Sequence, residues 1–97
     1  MKTVSVTISR SLAEKRLVRV FEEIVTAAGL VVHSRGGVAA RPGATHWHLR
    51  KPDQAGTLEA TWSPATGQFW FSIHDHRHAA WIDDALVVLC REIERED

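Results

Sequence analysis

Gln68-Phe69-Trp70-Phe71-Ser72-Ile73-His74 is the stretch whose reading decides the fold. Phe69, Phe71 and Ile73 share one parity, and Gln68, Trp70, Ser72 and His74 the other. That is the period of a strand with one buried face. Two upstream segments repeat the pattern. Thr57 to Ser63 turns Leu58, Ala60 and Trp62 inward and Thr57, Glu59 and Thr61 outward, while Thr45 to Arg50 turns Trp47 and Leu49 inward and His46, His48 and Arg50 outward. The links, Lys51 to Gly56 and Pro64 to Gly67, have turn chemistry, so two consecutive hairpins follow.

The rest of the chain is read outward from this meander. Val4, Val6 and Ile8 alternate with polar residues and predict a strand. Ser11 and Glu14 have capping-box spacing and open a helix predicted over Ser11–Ala28, with Ala13, Leu17, Val20, Phe21, Ile24 and Ala28 as its apolar stripe and Gly29 as its stop. Leu30 to His33 is apolar on both faces and is expected inside the sheet, followed by a long Gly/Ala/Arg-rich loop over Ser34–Ala44. A closing helix is predicted over Ala79–Ile93, its acidic end 92–97 frayed. The order β-α-β-β-β-β-α gives an α+β fold: a two-layer sandwich, mostly antiparallel, with both helices on one sheet face. The first two strands can pair in parallel through a right-handed crossover.

The 97 residues suit one domain over 1–97, and 44% hydrophobic with 25% charged residues is an ordinary globular balance. A single cysteine, Cys90, precludes an internal disulfide. With no signal-like or membrane-length apolar run, the expected location is cytoplasmic, away from membranes. Net charge is zero, which disfavours bulk nucleic acid as a partner. The charge is nonetheless uneven: residues 1–77 carry ten Lys/Arg against six Asp/Glu, and residues 78–97 two against six.

Register follows from keeping every apolar set inside. Setting Leu49 opposite Leu58 and Trp62 opposite Phe69 builds three rows on the open face: His46–Thr61–Trp70, His48–Glu59–Ser72 and Arg50–Thr57–His74. The binding face is therefore expected at His46, His48, Arg50, Glu59, Thr61, Trp70 and His74. Trp47 and Trp62 belong to the core and Trp81 to its rim, but Trp70 stands outward as an aromatic anchor.

The leading expectation is a non-enzymatic interaction domain that uses this face for a protein partner, a second copy making a homodimer, with no cofactor. One alternative is a nucleotide or nucleic-acid binder through Trp70, Arg50, His46 and the 35–41 loop. Another is a metal-binding protein or metal-dependent enzyme holding zinc or iron at His46, His48 and Glu59, two imidazoles and a carboxylate being a sensible partial shell. His74, two strands from the His46–His48 strand, is expected to join only through a tilted sheet. His74-Asp75-His76-Arg77-His78 is a second dense polar spot, but no nucleophile accompanies it, and Asp75 or a nearby backbone group capping the helix explains it.

Overall fold

The structure is a computed structural model that describes residues 1–14 and 16–96. Its strands are β1 (Lys2–Val6), β2 (Val31–Val38), β3 (Arg41–Arg50), β4 (Leu58–Ser63) and β5 (Gln68–Ile73), and its helices α1 (Arg10–Glu14), α2 (Leu17–Ala27) and α3 (Ala80–Glu94). One five-stranded sheet has the order β1-β5-β4-β3-β2, every pairing antiparallel. The inward residues of the meander (Trp47, Leu49, Leu58, Ala60, Trp62, Phe69, Phe71 and Ile73) are buried in one core with Leu17, Phe21, Val25, Ile82, Leu86 and Leu89 of the helices. Phe21 sits edge-on to Trp47 and Phe69, with ring centres 4.7 and 5.0 Å apart. This is the expected two-layer sandwich. No helix among the described residues is long and apolar enough to cross a membrane.

The first half of the chain departs from expectation in four places. The proposed parallel pairing of β1 and β2 does not occur. β1 pairs with β5, setting Val4 opposite Phe71 and Val6 opposite Phe69, and β2 lies at the far edge beside β3. Between them α1 and α2 cross the sheet and cover its core face.

The predicted single helix is two. Leu12 and Leu17 are both buried, yet positions five apart on one straight helix point ~140° away from each other. A break with Arg16 outside helical geometry (φ −126°, ψ 58°) lets both face the core. Ser9, not Ser11, caps the start: its hydroxyl accepts the Leu12 amide at 3.1 Å. The buried stripe is Leu17, Phe21 and Val25, with Val20 and Ile24 half-buried and Ala13 exposed.

The strand expected inside the sheet, Leu30–His33, begins at Val31 and forms an edge, with Val31 and Val32 both exposed. The expected long loop is largely a hairpin, because Arg35, Gly36 and Gly37 pair with Trp47, His46 and Thr45. Its Gly-rich composition hid strand geometry, since an edge strand needs few side chains to pack. The closing helix runs one residue past its expected end, to Glu94, with Ile93 buried, and Ala79 stands at its N-cap. Of the end expected to fray, Asp97 lies outside the described residues.

Candidate functional site

Register places the site. His46 lies opposite Thr61 and His48 opposite Glu59 on the β3–β4 pair; Glu59 lies opposite Ser72 and Thr61 opposite Trp70 on β4–β5. Two of the three expected rows therefore form, on the face turned away from the helices. β1 extends them, with Ser5 beside Trp70 and Thr3 beside Ser72, so Trp70 is not next to the sheet edge. The third row does not form. Arg50 is exposed and pairs with Val31, while Thr57 precedes β4 and gives its amide to the Arg77 carbonyl at 3.0 Å.

Glu59 is the centre. Its side chain is only 10% exposed although it lies on the open face, because the imidazoles around it close over it. Oε1 lies 2.9 Å from His46 Nε2 and 3.7 Å from His48 Nε2; Oε2 lies 2.9 Å from His74 Nε2 and 3.5 Å from Arg77 Nη1. His46 Nδ1 meets the Thr61 hydroxyl at 2.7 Å. With Nε2–H donating to Glu59, Nδ1 accepts from that hydroxyl. With Nε2 given to a metal, the ring proton moves to Nδ1 and the same hydroxyl accepts it. Thr61, 4% exposed, thus holds the ring in either tautomer.

One ligand atom each from His46, His48 and Glu59 lies within 4.8 Å of the other two. Ligand bonds of ~2.0–2.2 Å in a tetrahedral shell put donor atoms ~3.3–3.5 Å apart, so small side-chain adjustments bring all three onto one ion. Burial pushes the His48 imidazole below its ordinary value; Glu59 opposes the shift and His46, Arg77 and His33 reinforce it. A neutral imidazole is the ligating form.

Arg77 was not expected to join this group, and His74 only through a tilted sheet. His74 follows β5 directly, and a 3-10 turn over Asp75–Arg77 carries the chain back across the end of β4, with the Arg77 amide donating to the His74 carbonyl at 2.9 Å. Because Glu59 occupies the strand between, His74 needs to reach one strand, not two. The spacing His74-x-x-Arg77, which puts both residues on one side of a single turn, was the available signal. Asp75 caps nothing: it is exposed and lies 3.8 Å from the N-terminal amine.

Trp70 stands outward as parity required, but half-buried, with the Arg41 guanidinium 5.2 Å from its ring centre. Arg35, which the nucleic-acid alternative placed in its 35–41 loop, is bound to Glu22 of α2 at 2.7 Å. A wide groove beside α2 has Trp62 and Leu17 in its lining, and four of its charged residues form the Arg35–Glu22 and Arg19–Glu23 pairs. Cys90 is half-buried on α3, and burial and then Glu94 push its thiol up, which suits an unreactive side chain. Protein-family models, curated proteins and solved structures contain no match to this chain, so the chemistry of the Glu59 cluster carries the functional reading.

Proposed function

We propose that this chain is a divalent transition-metal-binding domain, with zinc or ferrous iron held on the open sheet face by His46, His48 and Glu59. The observation that carries the reading is the convergence of those three donor atoms within 4.8 Å. Mixed imidazole and carboxylate donors suit these ions, and three protein ligands leave a position for water or a further ligand. Outer contacts support it as well: Thr61 orients His46, and His74 and Arg77 address the carboxylate oxygen turned away from the imidazole pair.

Elemental analysis and zinc titration test it. One ion per chain is expected, with a dissociation constant below about 1 μM. Glu59→Gln and His48→Ala should each weaken binding at least about a hundredfold, roughly 2.7 kcal/mol. Binding that is undetectable, or unaltered by both substitutions, overturns the proposal.

Self-association through the same face is the second reading. Trp70 favours it, as a half-exposed aromatic ring on a sheet face with no helix over it. Sedimentation of metal-free and zinc-loaded protein tests it: a monomer in both states rules it out.

A further inference from the structure

Glu59 is the only acidic residue on the five strands, which also hold Lys2, Arg35, Arg41, Arg50, His33, His46 and His48. A divalent ion at His46, His48 and Glu59 would bring two positive charges against that one carboxylate, and Arg77 adds a third. The nearest acid in sequence, Asp75, does not offset it, being 93% exposed and drawn toward the N-terminal amine. The centre would carry an excess of two positive charges on strands that supply no further acidic residue among the described residues.

Arg77 has donors to spare. Its side chain is 43% exposed and, among the described residues, makes one polar contact, the 3.5 Å approach to Glu59 Oε2. The backbone holds it there: the Arg77 carbonyl accepts the Thr57 amide, and Gly56 packs so closely that a Cβ would stand 2.9 Å from that carbonyl. A cation fixed beside a ligand carboxylate, with most of its donors free, suits a second anion better than it suits Glu59.

We infer that the open side of the metal takes a phosphate group, bound jointly by the ion and the Arg77 guanidinium. The inference rests on the metal reading. A phosphate or phosphomonoester dianion matches the excess charge, whereas a carboxylate leaves half of it unbalanced. Its tetrahedral oxygens can address the ion and the planar guanidinium fork together. Free phosphate and the phosphate of a larger molecule share this chemistry. Trp70 and Arg41, one row along the same face, offer a stacking surface if the larger molecule carries a planar base.

The test uses full-length protein loaded with cobalt(II), whose visible absorption responds to a change in the metal's ligands. Cobalt content is verified for each variant before inorganic phosphate, ribose 5-phosphate or adenosine monophosphate is added. All three should perturb the spectrum at or below about 1 mM, and Arg77→Met should weaken each at least about tenfold, with Arg77→Lys recovering part of the loss. Tighter binding of the nucleotide that Trp70→Ala removes assigns a nucleotide as the source; equal affinities assign the phosphate group alone. A spectrum indifferent to all three, or an unchanged affinity in Arg77→Met, overturns the inference and leaves the metal reading standing. Failure to bind cobalt or zinc removes both.

Discussion

His74 Nε2 stands 2.9 Å from Glu59 Oε2, while the other oxygen of the same carboxylate stands 2.9 Å from His46 Nε2. One carboxylate on β4 therefore joins imidazoles from either side of it. If Oε1 is the ligand atom, His74 acts on the metal by fixing the carboxylate's orientation. His74→Ala should then lower zinc affinity by roughly 10–100-fold and keep one ion per chain. Competition against a chromophoric chelator measures both quantities. Lost stoichiometry would make His74 a ligand in its own right.

Trp70 lies opposite Thr61, which is only 4% exposed, and has the Arg41 guanidinium 5.2 Å from its ring centre. It is neither core nor a freely wet anchor. Trp70→Ala should cost about 1–2 kcal/mol, between a surface change and the ~3–5 kcal/mol of a fully buried aromatic. Urea unfolding decides it. A loss at the upper figure would mean that Trp70 packs as core.

The meander was legible because period-2 alternation over three strands excludes any one-residue slip, and the short turns favour setting Leu49 opposite Leu58 and Trp62 opposite Phe69. His46, His48 and Glu59 came with that register. The path of the first strand was not legible: Val4 and Val6 need an apolar neighbour, and either sheet edge offers one. Nor was β2, whose Ser34-Arg35-Gly36-Gly37 run has turn composition but finds its hydrogen-bonding partners on β3. Arg77, and the contact of His74 with Glu59, escaped the sequence for a third reason. The spacing His74-x-x-Arg77 puts the two on one side of a turn, but where that turn docks depends on a backbone contact between Thr57 and Arg77, twenty residues apart.

Gly56 makes that contact possible. Its φ is +103°, and a Cβ there would meet Ala79 Cβ and the Arg77 carbonyl at 2.9 Å each. Neither neighbour is the flexible end of a side chain, so the segment itself must shift. Gly56→Ala should destabilise by about 2–4 kcal/mol from left-handed strain and overlap together. The displaced turn should also weaken zinc binding through His74. A denaturation midpoint matching the parent protein would show that the 75–79 segment yields freely.

On the helix side of the sheet, Glu22 Oε2 accepts from the Trp47 indole at 2.9 Å and from Arg35 at 2.7 Å. Burial raises its carboxyl, but those hydrogen bonds and the Arg35 charge outweigh it and leave the group below its ordinary 4.5. A carboxyl depressed by folding gives stability that is present above its unfolded value and lost as pH falls through its folded value. The advantage of the parent protein over Glu22→Gln should therefore be full at neutral pH and shrink as pH falls below the ordinary 4.5. Glu22→Leu should cost about 1–3 kcal/mol at neutral pH, because the indole N–H of a fully buried Trp47 loses its acceptor. Thermal melts of the three proteins across this range check both statements. A gap between parent and Glu22→Gln that widens as pH falls would mean that burial, not the two donors, governs Glu22.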